Sequence, residues 1–313
     1  VEMFMNDANR AAIGRFSAID IIAGISVGLV LVPQSMAYAA LAGLSPVHGL
    51  YAAAIAPIAA AFFASSPFLQ SGPVAMTSVL SFGALSAIAL PMTEGYATLA
   101  ALLAVIVGIV RVVFGLLRAG FVADLMSQPI TMGFTRAAGL LIVGSQLPKF
   151  FGAEVPVKGI VNSIIWTLSN PAAWSAEACA IGAATLAIII LGRRIHTLFP
   201  GVLIAVAAGV AYSMLSDYGG AVIGDVPAAF PSFSLALPWV YMPQLIFPGV
   251  VIALVGFAEP AAIARTMATQ TRTRWSPDRE LISQGAANLS AGLVGGFPVG
   301  GSFSRTLINR GAG

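Results

Sequence analysis

Residues 65–86, SSPFLQSGPVAMTSVLSFGALS, form a stretch that could bind an anion through the backbone amides of a helix start. Pro67 and Pro73 each lack an amide donor and Gly72 disfavours helix, so the first half is predicted to be extended. The second half is predicted to be helical, with Pro73 at the favoured first helical position. A helix start carries unpaired N–H groups and partial positive charge, which favour an anion. The alternative is a short surface loop between two helices.

A second stretch, GGFPVGGSFSRTLINRGAG over residues 295–313, has a similar arrangement. Its glycines permit close approach of the backbone, and Ser302 or Ser304 can cap the helix that follows. Arg305 then lies in the first helical turn, where its charge opposes the helix dipole. An anion held between the two helix starts would reverse that penalty. We favour this interpretation over a snorkelling Arg305 or its pairing with a carboxylate.

Three further polar side chains lie within or beside apolar runs. Glu259 is surrounded by the apolar sequence LVGFAEPAAIA, and a carboxylate inside a membrane is costly and usually functional. It could carry a proton or stay ionised as a counter-ion to Arg305. Gln34 and Tyr38 follow Pro33 at the end of an apolar run and offer an amide donor and an aromatic hydroxyl. The alternative for these two is a helix that ends at Pro33 with an interfacial tyrosine.

The composition identifies the environment in which these residues work. The chain has 313 residues, of which 58% are hydrophobic and 9% charged, with a mean hydropathy of +0.93. Soluble domains are closer to one quarter charged, so a polytopic membrane protein is predicted. Cys179 is the single cysteine, which excludes an internal disulfide. The sequence shows no Ser/His/Asp, Cys/His or metal-ligand spacing, so an enzyme and a metal site are disfavoured.

Apolar runs of about 17–25 residues predict the membrane segments. The first run is interrupted at Pro33, a segment at 157–168 is too short to cross, and the tenth begins near Ser304. If the basic tail of residues 1–15 is placed in the cytoplasm and the segments alternate, most arginines, including Arg111, fall on the cytoplasmic side. This agrees with the positive-inside rule, so the tail is predicted to be cytoplasmic. The other predicted segments are 16–32, 48–64, 73–90, 96–117, 129–147, 172–192, 200–215, 243–264 and 281–296.

The two ends of the chain have the same order of predicted elements. An ungapped alignment that matches Pro46 with Pro277 places Gly72 and Pro73 opposite Phe303 and Ser304. Each copy has an apolar span, a break rich in glycine, proline and serine, and then a helix start. An inverted repeat with one broken helix in each half is typical of transporters that hold their substrate at the membrane midplane.

Three stretches of the chain resemble the sulfate permease (SulP) family of anion transporters. They are VPQSMAYAALAGLSPVHGLYAAAIAPIAAAFFASSPFLQSGPVAMTS, FVADLMSQPITMGFTRAAGLLI and the terminal GGFPVGGSFSRTLINRGAG, and the resemblance covers residues 20–313. It implies an all-α polytopic membrane protein with an inverted seven-segment (7+7) repeat. Two half-helices, each preceded by a short extended stretch, are implied as well.

The resemblance also implies a core domain and a gate domain. The tail of residues 1–15 precedes core residues 16–119, gate residues 120–216, a loop at 217–242 and further core residues 243–313. Because the sequence stops in the predicted tenth segment, we expect segments eleven to fourteen and the STAS domain of the family to lie outside it. The second repeat is therefore expected to be incomplete here.

The family's substrate site maps onto residues already singled out by their chemistry. The first segment contributes a polar and an aromatic position, the two half-helices contribute their starts, and Glu259 matches an acidic position of transporting members. The implied substrate-binding residues are Gln34, Tyr38, Pro73, Val74, Ala75, Ser304 and Arg305. No cofactor or metal is implied; H⁺ is the expected coupling ion, and Na⁺ is less favoured.

The implied function is secondary active transport of a sulfate, bicarbonate or dicarboxylate anion by alternating access, with proton symport. The implied setting is the plasma (inner) membrane, with the lipid bilayer and a second copy of the chain as partners and no nucleic acid. One alternative is a nucleobase transporter of the same architecture, which would need paired acidic residues where Arg305 stands. Another is a motor or structural protein that binds an anion without transporting it.

Overall fold

The computed structural model describes residues 18–121, 128–156, 159–195, 201–216, 218–220 and 232–312. Most of these residues are helical, two strands of two residues each are present, and the rest form turns and connections. The elements are α1 (Ala18–Leu41), α2 (Pro46–Phe63), β1 (Ser71–Gly72), α3 (Ala75–Leu85), α4 (Glu94–Leu116), α5 (Gln128–Phe150), α6 (Ile160–Ser169), α7 (Ala176–Ile195), α8 (Gly201–Leu215), α9 (Met242–Thr271), α10 (Pro277–Leu293), β2 (Gly300–Gly301) and α11 (Phe303–Ala312). Short 3-10 helices occur at Pro171–Ala173 and Trp239–Tyr241.

The chain divides into two compact units, one formed by Val1–Thr131 with Pro227–Gly313 and the other by Met132–Val226. The first unit contains α1 to α4, α9 to α11 and both strands. The second contains most of α5 and the helices α6 to α8. The assignment of core and gate roles to particular segments stays a prediction from the family resemblance.

Four helical segments in the described part of the chain are long and apolar enough to cross a membrane: Asp20–Leu41, Pro46–Phe63, Glu94–Leu116 and Trp239–Thr271. Each of the ten predicted segments corresponds to one helix of the structure. The helix α10 is less apolar than these four because one of its faces is polar and buried. It begins at Pro277, before the predicted start, since Ser276 caps it by accepting a hydrogen bond from the Arg279 amide at 3.4 Å.

Close backbone contact joins α4 to α10 in the first unit. A Cβ atom added to Gly108 would lie 2.7 Å from the backbone nitrogen of Leu289, and one added to Gly292 would lie 2.6 Å from the carbonyl oxygen of Ala101. Small residues allow helices to approach in this way where apolar burial gives little driving force between them. The main apolar core lies beside this contact, around Leu102, Leu103 and other residues of α4 that are fully buried.

The second unit has its own local contacts. Phe151 stacks on Trp174 with ring centroids 3.9 Å apart, and the indole Nε1 of Trp174 donates to the carbonyl oxygen of Thr167 at 2.9 Å. The hydroxyl of Tyr212 on α8 donates to the Glu177 carboxylate on α7 at 2.7 Å. The segment predicted at 157–168 contains α6, whose ten residues are too few to cross a bilayer.

The predicted interruption of the first segment at Pro33 is wrong, and so is the alternative of a helix that ends there. The helix α1 continues through Pro33 to Leu41. A proline removes one helical donor, and membrane helices tolerate this because neighbouring groups satisfy the freed backbone. The carbonyl oxygen that loses its usual helical donor here is that of Leu29, four residues before Pro33. Gln34 and Tyr38 therefore lie on a continuous helix rather than in a connection.

The prediction that Pro73 is the first helical residue is also wrong. The helix α3 begins at Ala75, and Val74 is its N-cap with extended φ and ψ angles of −141° and 152°. The carbonyl oxygen of Pro73 instead accepts a hydrogen bond from Arg305 Nη2 at 2.9 Å. Gly72, the residue before Pro73, is held in an extended conformation by its pairing with Gly300. The helix also ends at Leu85, before the predicted Leu90.

The two strands pair in antiparallel register, with Ser71 opposite Gly301 and Gly72 opposite Gly300. By element order, Gly72 as the second residue of β1 corresponds to Gly301 as the second residue of β2, whereas the ungapped alignment related Gly72 to Phe303. The second copy is shorter because α10 has 17 residues against 18 in α2, and its connection to the strand is also shorter. The repeat therefore contains a small deletion that the alignment missed.

Candidate functional site

The paired strands bring the starts of α3 and α11 together. Gly72 at the end of β1 lies opposite Gly300 at the start of β2, and the Ser302 amide donates to the Gln70 carbonyl oxygen at 2.9 Å. The first turn of each helix has amides without a partner in its own helix. Two electropositive helix starts therefore face a common region.

Arg305 links three elements at this region. Its Nη1 donates to Gln34 Oε1 on α1 at 3.2 Å, and its Nη2 donates to the Pro73 carbonyl oxygen before α3 at 2.9 Å. The side chain is 0% exposed, and its Nε is buried without a hydrogen-bond partner. The bond to Pro73 joins residues 232 positions apart in the sequence. Arg305 thus places one fixed positive charge beside both helix starts.

Tyr38 and Glu259 complete the group around this charge. Arg305 interacts electrostatically with both side chains, which are half-buried. Tyr38 lies one helical turn after Gln34 and on the same face of α1. Glu259 lies on α9 next to Pro260, and a Cβ atom added to Gly301 in β2 would be 3.1 Å from the Cβ of Pro260. The helix α9 therefore packs directly against the second strand.

The remaining predicted residues lie at the helix starts themselves. Val74 is buried, and its carbonyl oxygen accepts from the Ser78 amide at 3.1 Å and the Ser78 hydroxyl at 2.8 Å. Ala75 is half-buried as the first residue of α3, and Ser304 is exposed in the first turn of α11. Of the two serines proposed as caps, Ser302 has this role, since its Oγ lies 3.5 Å from the Arg305 amide nitrogen.

Arg111, which the sequence predicted among the arginines on the cytoplasmic side, lies within α4, five residues before its end. It is 0% exposed, and all three guanidinium nitrogens donate to backbone carbonyl oxygens: Nε to Ala253 at 3.1 Å, Nη1 to Val299 at 3.0 Å and Nη2 to Ile252 at 3.4 Å. Every nitrogen of this arginine has a protein partner, in contrast to Arg305 with its free Nε. Arg111 therefore holds the structure together, and Arg305 keeps donor capacity.

Sequence reasoning missed the polar face of α10, which lies behind the strand pair. Glu280, Gln284 and Asn288 are each at most 1% exposed. The sequence did carry a signal for this face. The three polar residues are spaced four apart, which places them on one side of a helix that was otherwise predicted to be an apolar span. Among the described residues, no group of His, Cys, Asp and Glu could hold a metal ion.

Comparison with known proteins identifies the family. The sequence pattern of the sulfate permease family matches residues 18–313, almost the whole chain. The chain belongs to the sulfate permease family. Its relatives in this family are transporters rather than enzymes, and the family together with the apolar helices makes it a multi-pass integral membrane protein.

Two relatives and one solved structure show the extent of the similarity. The chain is 33% identical over 308 residues to a probable sulfate transporter of Arabidopsis thaliana, covering 94% of this chain and 45% of the relative. It is 33% identical over 294 residues to a probable sulfate transporter of Mycobacterium tuberculosis, covering 92% of this chain and 52% of the relative. The structure of SLC26A9 superposes with a TM-score of 0.86 at 25% identity, covering 94% of this chain and 50% of that one.

These comparisons confirm the predicted all-α inverted-repeat transporter fold. The chain spans about half the length of the two relatives. All eight residues predicted for the site lie in the first compact unit of this sulfate permease family chain. The bonds of Arg305 connect it directly to Gln34 and Pro73, and its electrostatic interactions extend to Tyr38 and Glu259.

Proposed function

We propose that the protein is a secondary active transporter that holds a small anion between the starts of α3 and α11 and moves it by alternating access. The single observation that carries this proposal is the position of Arg305. Its guanidinium is buried beside both helix starts, bonded to neutral acceptors, with one nitrogen left without a partner. No carboxylate is hydrogen-bonded to this positive charge, and the charge lies next to the positive ends of two helix dipoles. Both features favour an anionic ligand.

The binding chemistry follows from the donors that remain. The Oε1 of Gln34 is occupied by Arg305, so its Nε2 is the part of the amide left to donate. The first-turn amides of α3 and α11 provide further donors, together with the Ser304 hydroxyl. Tyr38 lines the same face of α1. A small oxyanion, such as sulfate, bicarbonate or a carboxylate of a dicarboxylate, accepts hydrogen bonds from several directions and suits such a set.

Glu259 supplies a route for proton coupling. When this carboxyl is ionised, it offsets the charge of Arg305, with which it interacts. When it is protonated, the charge of Arg305 is left for the substrate, so proton binding and anion binding strengthen each other. Such reciprocity is required of any thermodynamic coupling between two sites. It makes proton symport the coupling mode that we propose.

A competition assay tests the proposed substrate class. The full-length protein is reconstituted in liposomes, and uptake of labelled sulfate is measured with an excess of unlabelled sulfate, bicarbonate, chloride or a dicarboxylate, at two pH values on either side of neutrality. We expect at least one oxyanion to inhibit uptake more strongly than chloride. Uptake of no anion by a protein that binds one would instead favour a motor or structural role. A nucleobase is included as a further competitor, and inhibition by it alone would contradict the anion site.

Replacement of Glu259 by glutamine is expected to remove the pH dependence of uptake. The amide keeps the size of the side chain but cannot exchange a proton, so Arg305 stays unbalanced at every pH. The measurement is the ratio of initial uptake rates at the two pH values, which we expect to fall to about one if one group carries the coupling. Glu94→Gln is the control, because Glu94 is an exposed residue at the start of α4. A pH dependence that persists in Glu259→Gln removes Glu259 from this role.

A further inference from the structure

The polar face of α10 contacts both broken segments of the repeat. Glu280, Gln284 and Asn288 lie four residues apart, which places them in one row along the helix. All three are fully buried, so each polar group needs a partner inside the protein. Each has at least one partner in the extended stretches before α3 and α11, the two elements of the proposed anion site. Asn288 Nδ2 also donates to the Gln284 carbonyl oxygen at 2.7 Å, and Gln284 Oε1 has no hydrogen-bond partner.

Asn288 holds the chain that leads into β2. Its Oδ1 accepts from the Val299 amide at 2.9 Å, and its Nδ2 donates to the Val299 carbonyl oxygen at 3.0 Å. The side chain thereby pairs with the backbone of Val299 as a neighbouring strand would. Arg111 Nη1 also donates to this carbonyl oxygen at 3.0 Å. Val299 directly precedes Gly300, so these bonds fix where β2 begins.

Gln284 and Glu280 hold the other extended stretch. Gln284 Nε2 donates to the Ser71 hydroxyl oxygen in β1 at 2.6 Å. The Glu280 carboxylate accepts from the Ser66 amide at 2.9 Å and from the Ser65 amide at 3.2 Å. One rigid helix is therefore bonded to the approach to α3 through two side chains and to the approach to α11 through a third.

We propose that Gln284 and Asn288 are positioning residues that set the spacing of the two half-helix starts and so determine which anions bind well. This inference rests on the proposed function. A tetrahedral oxyanion needs several donors at fixed distances and directions, because hydrogen bonds weaken steeply when misaligned. A halide is spherical and tolerates donors from a wider range of directions. Loosening either strand is therefore expected to weaken oxyanion binding more than chloride binding.

The test is the ratio of dissociation constants for sulfate and chloride in Asn288→Leu. Both constants are obtained from anion-dependent thermal stabilisation of the purified full-length protein. Replacement of residues that orient metal ligands changes metal affinity by about 10–100-fold, and the lower end of that range gives an expected shift of about ten-fold against sulfate. Asn288→Asp keeps the acceptor for the Val299 amide but turns a carboxylate oxygen toward the carbonyl oxygens of Val299 and Gln284, so we expect the ratio to move at least as far as in Asn288→Leu. A merely structural role would lower stability without moving the ratio.

Ser290→Ala is the matched control, since Ser290 lies on the same helix and its hydroxyl bonds only to the nearby Ala287 carbonyl oxygen, at 2.9 Å. Gln284→Met, Ser71→Ala and their combination provide a second test if Asn288→Leu does not fold. We expect each single change to move the ratio against sulfate and the double change to add little, because both remove the same bond. An unchanged ratio in folded Asn288→Leu, or in folded Gln284→Met, overturns the inference.

Uptake by the same variants in liposomes separates this inference from the proposed function. A wild-type protein that binds sulfate but transports no anion contradicts transport, and the binding ratios still test the positioning role. A wild-type protein that transports sulfate while the variants keep its selectivity contradicts only the positioning role. A wild-type protein that binds neither anion overturns both.

Discussion

Replacement of Arg305 by alanine is expected to abolish uptake of the transported anion at ordinary substrate concentrations. The change removes the fixed charge beside both helix starts and frees Gln34 Oε1, so the amide of Gln34 loses its fixed orientation. Hydrogen bonds that involve a charged group contribute about 1.5–3 kcal/mol each. Since 1.4 kcal/mol is about a factor of ten, we expect anion affinity to fall by about 10–100-fold. Initial uptake rates over a range of concentrations in liposomes measure the loss.

Arg310→Ala is the matched control for this prediction. Arg310 lies on the same helix but is half-buried, and its guanidinium bonds to Gln270 Oε1 on α9 rather than to the site. We expect it to transport normally. Arg305→Lys keeps the charge but not the two-pronged geometry, so it should retain part of the activity. Unchanged uptake by a well-folded Arg305→Ala protein would remove Arg305 from the binding site.

Replacement of Gly49 by alanine is expected to cause a large loss of stability. A Cβ atom at this position would lie only 2.0 Å from the carbonyl oxygen of Ser35 and 2.6 Å from its carbonyl carbon. Backbone atoms cannot rotate away as a flexible side chain can, so α1 and α2 would have to separate. Forcing extra atoms into a well-packed contact costs about 1–3 kcal/mol and occasionally more, and we expect at least the upper end here. The thermal unfolding midpoint of the purified protein measures this loss.

Gly28→Ala provides the comparison for Gly49→Ala. Gly28 lies in α1, and an added Cβ atom would have nothing within 4 Å. Alanine favours helix over glycine by about 1 kcal/mol, so the midpoint should stay the same or rise slightly. Because α1 carries Gln34 and Tyr38, any Gly49→Ala protein that folds should also bind anion more weakly. An unfolding midpoint equal to that of the wild type would show that α1 and α2 are less closely packed than in this structure.

The two buried arginines show how similar sequence signals lead to different roles. Arg111 and Arg305 both lie in or beside apolar segments, and both are fully buried. Position in the chain placed Arg111 among the arginines on the cytoplasmic side, but the α9 backbone and Val299 surround its guanidinium with carbonyl oxygens. These acceptors lie at least 141 residues away in the sequence. Only the folded chain distinguishes the satisfied arginine from the one with a free donor.

The sequence by itself determined the features that depend on local chemistry. The excess of apolar residues predicts a membrane protein, and the runs between charges predict where its helices lie. The glycines, prolines and serines around Gly72 and Gly300 predict two breaks followed by helix starts. The types and depth of Arg305, Glu259 and Gln34 predict polar groups near those starts. Each of these signals is carried by residues that are close neighbours in the chain.

The tertiary structure alone decided the features that depend on distant partners. Arg305 donates to the Pro73 carbonyl oxygen from 232 positions away, and α3 begins only at Ala75, after the extended Val74. Pairing of β1 with β2 defines the two strands whose positions show the deletion in the second repeat. Asn288 can bond to Val299 only because the chain at Val299 folds back against α10. Local propensities amount to a few tenths of a kcal/mol per residue, so a buried bond to a distant group outweighs them.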